Sequence, residues 1–190
     1  ERERVQPVDD VLALPPLPED VVALAEFVAA YYREPVGLAL ALARTIDDPE
    51  SVASSLLNLA MVGTMRADFE DARRAISEAM HIIETGGSRL NGQGLLTAVA
   101  GLAAANEDWS GAARYFGAAE TEATISGLQR DRADQDFVSG HMARVRAQLG
   151  QAAFEAATAA GGALDYAAAL ADARRWIQHD GVPAVAAPPP

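Results

Sequence analysis

An all-α fold laid out as an array of helix pairs is what this sequence predicts, and three observations carry that expectation. Half of the residues are hydrophobic and only 6% of the chain is aromatic, with Ala dominating the apolar half. Small side chains suit closely packed helices, whereas a β-sandwich draws on aromatic and β-branched residues. Apolar positions also recur at helical spacing, as in Val21, Leu24, Ala25 and Val28 at i, i+3, i+4 and i+7. Finally, Asn106-Glu107-Asp108-Trp109-Ser110-Gly111-Ala112 has a counterpart forty residues earlier at Arg66-Ala67-Asp68-Phe69-Glu70-Asp71-Ala72, and self-similarity at a fixed period marks a repeat architecture. A chain of 190 residues spreads one continuous core through such a stack, because each pair hides its apolar face only against a neighbour.

Residues 1–18 combine charges, the short run Val11-Leu12-Ala13-Leu14 and Pro15-Pro16-Leu17-Pro18. They read as a linker, since proline favours extended structure and cannot continue a helix. A first helix follows over 19–32. Pro35 suits the first turn of a second, over 35–46, with Leu38, Leu42 and Ile46 as its stripe. Asp47-Asp48-Pro49-Glu50-Ser51 is a start signal: Asp48 is the candidate N-cap, Pro49 sits at the first helical position, and the acids face the positive end of the dipole. That third helix runs to Met65. Asp68 then caps a fourth, carrying Ala72, Ile76, Ala79 and Ile83 on one face and closing at Gly86-Gly87.

The Gly-rich stretch from Ser88 to Gly94 reads as a turn, with Ser88 or Asn91 as the next N-cap. An Ala-rich, buried helix spans 95–105, and Asn106-Glu107-Asp108 repeats the earlier turn. A sixth helix spans 109–126 with Ala112, Phe116, Ala119 and Ala123 inward, and Gly127 stops it. The charged segment from Arg130 to Asp136 forms the solvated first turn of a seventh, which buries Phe137, Met142, Val145 and Leu149. Gly150 allows a break, 151–160 forms a short eighth helix ended by Gly161-Gly162, and Asp165 caps a ninth through Ile177. The proline-rich tail over 179–190 is expected to be disordered, leaving 19–178 as the folded domain.

Composition excludes several function classes. A net charge of −12, with 27 acidic against 15 basic residues, argues against nucleic-acid binding by this segment, which needs clustered cations to displace counterions. All the cationic residues other than His are Arg, the bias of a GC-rich coding sequence. The lack of Cys removes disulfides and thiolate metal sites. No apolar run approaches the roughly 18 to 20 residues of a membrane span, and 1–10 lacks a signal pattern, so a soluble cytoplasmic protein is expected. The start at Glu1 rather than Met suggests a segment of something longer.

No reactive constellation stands out. His81, His141 and His179 lie far apart, without the i, i+4 spacing that gives a metal two ligands. Asp131, Asp134 and Asp136 evoke a calcium loop, but its sixth and twelfth positions hold Asp136 and Met142 where Gly and Glu are required. The pairs Asp47 with Asp48, Glu70 with Asp71 and Glu107 with Asp108 fall at turns, where capping explains them. The Gly-rich stretch lacks the Lys-Ser/Thr ending and the preceding strand of a phosphate loop. No catalytic residue, metal site or cofactor is expected.

At an offset of forty, Leu56 aligns with Leu96, Ala60 with Ala100, Asp68 with Asp108, Phe69 with Trp109, Ala72 with Ala112 and Ile76 with Phe116. Small residues at Ala60 and Ala72 let paired helices approach, an aromatic fills the wedge after the turn, and Ile76 or Phe116 packs toward the next unit. This pattern resembles the tetratricopeptide repeat, with departures. That repeat is about 34 residues long, and its usual Gly before the acidic-aromatic turn is Ala67 in one copy and Glu107 in the other. The stretch from Asp108 to Glu120, followed by Arg144-Val145-Arg146-Ala147-Gln148-Leu149-Gly150-Gln151-Ala152-Ala153-Phe154 and Gly162-Ala163-Leu164, is similar to the C-terminal helical repeats of large bacterial ATP-dependent regulators. These are the LuxR-type and antibiotic-regulator-type transcription factors and their cyclase-linked relatives.

The resemblance implies a right-handed superhelical stack of about nine helices and a non-enzymatic protein-interaction or signal-sensing role within a transcriptional regulator. It implies no activity of this segment's own. In tetratricopeptide geometry the first helix of each pair lines the concave face, bringing Ser54, Leu57, Met61, Thr64 and Met65 together with Thr97 and Gly101. Leu and two flexible Met side chains there suit an apolar peptide or helix; burial beneath the first two helices is the alternative. The partner is then a protein or peptide, including other domains of the same regulator or a second copy in a homodimer. The competing reading is a small-molecule effector-binding domain that uses the same face and shifts between two states.

Overall fold

The computed structural model describes residues 36–45, 47–86, 91–127, 130 and 132–179. Among them the chain is all-helical, without a strand, in eight helices: α1 (Val36–Thr45), α2 (Pro49–Arg66), α3 (Phe69–Gly86), α4 (Gly92–Ala105), α5 (Trp109–Ser126), α6 (Arg132–Leu149), α7 (Gln151–Gly162) and α8 (Tyr166–His179). The helix expected over 19–32, the linker over 1–18 and the tail beyond His179 lie outside the described residues. No described helix is long and apolar enough to cross a membrane.

Local chemistry sets the helix starts. Asp48 accepts the amides of Glu50 and Ser51 at 3.1 and 3.3 Å and the Ser51 hydroxyl at 2.6 Å, with Pro49 inside the first turn. The Ser51 hydroxyl and amide hold its carboxyl below the usual carboxylate range. Asp108 caps α5 by accepting the Gly111 amide at 2.9 Å, and Asp165 accepts the Ala168 amide at 2.7 Å at the start of α8.

Three corners share one backbone turn. Asp47, Ala67 and Glu107 take left-handed φ of 54°, 63° and 64°. The next residue, Asp48, Asp68 or Asp108, donates its amide back to the carbonyl of Ala43, Gly63 or Ala103 at 3.3, 2.8 and 3.0 Å. This closure satisfies the orphan carbonyls at a helix end. At two corners a second bond completes the motif, from Ala67 to Thr64 and from Glu107 to Ala104, each 3.2 Å. Ala67 and Glu107 stand where the resembling repeat carries Gly, in a conformation that costs an L-residue roughly 1–2 kcal/mol.

The helices pack as neighbouring pairs, α2 with α3 and α4 with α5, while α1 lies on α2 and α4 touches both α2 and α6. Helix α4 is buried on every side, Leu95 through Ala104 without exception, as a helix apolar all round must be. Leu95, Leu96, Val99 and Leu102 join Ile76, Tyr115 and Val145 among the largest fully buried side chains of a core rich in Ala.

Several glycines that read as turns or stops serve contact instead. Helix α4 begins at Gly92, three residues before the expected start, and Gly92 lies under the Tyr166 ring, where a Cβ would collide. Helix α7 continues through Gly161 rather than ending at Ala160. A Cβ on Gly161 would run into the Arg114 backbone, and one on Gly117 into the Thr158 backbone. These two glycines let α5 and α7 touch main chain to main chain, so α7 lies mainly on α5. Phe116 follows the same contact, its ring 6.3 Å from that of Phe154.

Helix α8 turns back across α3, α4 and α5. Its Trp176 indole donates to Asp108 at 2.8 Å, and its Asp172 pairs with Arg114 at 2.8 Å and Arg175 at 2.9 Å. Burial, then the charge of Asp172, pushes the Tyr115 hydroxyl up to about 12. It therefore stays protonated and donates to the Asp172 carbonyl at 3.4 Å.

Candidate functional site

The seven residues expected on a concave face lie on the adjacent helices α2 and α4 and differ in exposure. Ser54 is exposed on α2, whereas Leu57 packs toward Gly94 of α4. Thr64 and Thr97 are buried and donate their hydroxyls to carbonyls of their own helices, at Ala60 and Gln93, both 2.8 Å. Gly101 lies directly under the Phe137 ring, which occupies the place of a Cβ. Of the seven, Met61 and Met65 line the cleft described next. The Ala and Gly residues of α4 let α2 and α6 close over it and turn the expected inner surface into core.

What remains open is a cleft of about 710 Å³ between α2 and α6. Met61, Val62 and Met65 form one wall, and Phe137 and Gly140 belong to the other. Met61 is only 6% exposed and serves as floor, whereas Met65 is 63% exposed at the rim. Polar groups border this strip: Asn58 from α2, and Asp134, Asp136, His141 and Arg144 from α6.

On the α6 wall the Arg144 guanidinium lies 3.3 Å from the Glu107 carboxylate and 5.0 Å from the centre of the Trp109 ring, an exposed contact with the repeated turn. His141 meets the Phe137 ring edge-on, with centroids 4.8 Å apart. Burial, then the Arg144 charge, lowers the His141 pKa from its ordinary value. The ring is therefore neutral near pH 7, one nitrogen accepting and the other donating.

The α6 residues were missed in the sequence because the charges from Arg130 to Asp136 read as a solvated turn. The signal was present: Ala133, Phe137, Gly140 and Arg144 fall at i, i+4, i+7 and i+11, one face of a helix. Opposite them, Asn58, Met61, Val62 and Met65 fall at i, i+3, i+4 and i+7.

A second recess, of about 680 Å³, lies between α3 and α8, with Ile83 and Leu170 at its base. Its edge is closed by the ion pair between Arg174 and Glu84. Among the described residues no group of three or more His, Asp or Glu side chains is arranged to hold a metal ion.

No family model, curated protein or solved structure matches the chain significantly. The cleft's own residues carry the functional reading.

Proposed function

We propose that this chain is a non-enzymatic, tetratricopeptide-like module of a bacterial transcriptional regulator, and that the cleft between α2 and α6 receives a protein or peptide partner. Successive pairs stack in a right-handed sense in this reading. Pairing of α2 with α3 and of α4 with α5, and the packing of α4 against both α2 and α6, support the repeat reading, while α7 lies on α5 rather than pairing with α6. The observation that carries the function is the cleft: a Met and Phe strip, open at Met65 and edged by both signs of charge. Methionine adapts its shape to varied apolar surfaces, and a groove between two helices suits an amphipathic helix or an extended apolar peptide.

A small-molecule effector is the second reading, favoured by one feature. A volume of about 710 Å³ falls in the range of drug-sized sites, and Asn58, His141 and Arg144 supply convergent polar groups. A thermal-shift screen of metabolites, run beside selection of peptides from a displayed library, separates the two. Selected peptides that bind with no stabilising metabolite support the partner site; stabilisation by a metabolite with no peptide selected overturns it in favour of the effector.

A further inference from the structure

Gly140 is exposed in the middle of α6, and apart from its own stretch of helix no described atom stands within 4 Å of where its side chain would begin. Glycine in a helix interior is destabilising relative to Ala, and among the described residues none fills the place of the missing side chain. This differs from Gly101, Gly117 and Gly161, each of which admits a neighbouring ring or backbone. Gly140 instead leaves a notch in the cleft wall beside Phe137.

The wall is also polarised. Asp134 and Asp136 stand at the N-terminal end of α6, while Arg144 lies two turns further on, about 12 Å along the axis by the rise of 1.5 Å per residue. Asp136 meets Arg132 only at 4.0 Å, with both side chains mostly exposed, and the Arg144 pair with Glu107 is exposed as well. Such pairs are weak and exchange readily for a partner's charges. His141, neutral near pH 7, lies between the two ends without adding charge.

We propose that the occupant of the cleft is an amphipathic helix of a partner protein, with a bulky apolar anchor in the notch at Gly140, bases over Asp136 and acids over Arg144. A helix carries acids in its first turn and bases in its last most favourably, so the partner lies antiparallel to α6. This rests on the reading of the cleft as a partner site.

The test uses two labelled amphipathic peptides of about 12 residues, whose first and last turns lie about 12 Å apart, with a common Leu stripe. One has Glu in its first turn and Arg in its last; the other has the two exchanged. Binding is read by fluorescence anisotropy against the wild-type chain, Gly140→Ala, Gly140→Leu and Met65→Asp. The acid-first peptide is expected to bind about fivefold tighter than the base-first one, because it covers both charges while its own acids and bases complement its helix dipole. Gly140→Leu weakens it about tenfold or more, as overpacking does, while Gly140→Ala raises the melting midpoint and weakens binding less.

Binding that Met65→Asp removes but Gly140→Leu spares overturns the notch and leaves the cleft reading intact. Equal affinity for the two peptides overturns the antiparallel orientation. If neither peptide binds the wild-type chain, the cleft reading and this inference fall together.

Discussion

Asp108 performs two jobs with its two oxygens, and separating them gives the sharpest test of how α8 is held. Oδ1 accepts the Gly111 amide at 2.9 Å as the cap of α5, while Oδ2 accepts the Trp176 indole at 2.8 Å from α8. Removing an N-cap costs about 1 kcal/mol, and a hydrogen bond to a charged group is worth about 1.5–3 kcal/mol. Asp108→Ala is therefore expected to cost roughly 2.5–4 kcal/mol. Trp176→Phe removes the donor and leaves the cap in place, though it also opens space in a buried site. A double-mutant cycle cancels that packing loss and isolates the pair. Urea unfolding followed by far-UV circular dichroism should return a coupling of about 1.5–3 kcal/mol. A coupling under about 0.5 kcal/mol, the scatter expected of independent sites, would mean that the indole does not hold α8 to the α4–α5 corner.

Further expectations follow from the corners, the helix contacts and the buried ring. Ala67→Gly and Glu107→Gly relieve left-handed strain of about 1–2 kcal/mol against an unfolded-state entropy cost of about 0.4–1 kcal/mol. Each should therefore stabilise by up to about 1.6 kcal/mol; loss of stability in both would refute the strain. Gly117→Ala and Gly161→Ala push a Cβ into backbone and should destabilise by about 3 kcal/mol or more. Gly86→Ala, which meets no atom within 4 Å, should not destabilise, and equal losses at all three would discount the close α5–α7 approach. His141 has its pKa lowered in the fold by burial and by Arg144. The unfolded chain therefore binds the extra proton first, and stability is complete above about pH 6.5 and declines as pH falls toward the folded value. His141→Gln should flatten that slope in melts across the range, and an unchanged slope would place its origin elsewhere.

The local parts of this fold were legible in the sequence because they depend on neighbours. Asp48, Asp108 and Asp165 cap helices through bonds spanning two or three residues, and Ala67 and Glu107 already occupied a position that calls for Gly in the resembling repeat. The glycines misled. Gly92 and Gly161 carry turn character in isolation, yet their lack of a side chain serves contacts with Tyr166 and Arg114, and no local rule distinguishes a stop from a contact. The return of α8 was equally hidden, since the Trp176 bond to Asp108 joins residues 68 apart. In the site, Met61 and Met65 were legible from their helical face. The α6 wall was not, because charge at Asp134 and Asp136 outweighed the apolar register of Ala133, Phe137 and Gly140. Leu57, Thr64, Thr97 and Gly101 were drawn into the core by the closeness that Gly94 and Gly101 permit.

The central claim is that a partner enters between α2 and α6, and Met65 offers the most direct measurement. At 63% exposure its replacement by Asp leaves the core untouched, unlike Met61, whose burial would confuse binding with folding. Peptides selected against the wild-type chain should lose about tenfold or more in affinity for Met65→Asp, a change of at least about 1.4 kcal/mol, with the melting curve unaltered. Undiminished binding of those peptides to the variant would contradict the assignment of the cleft.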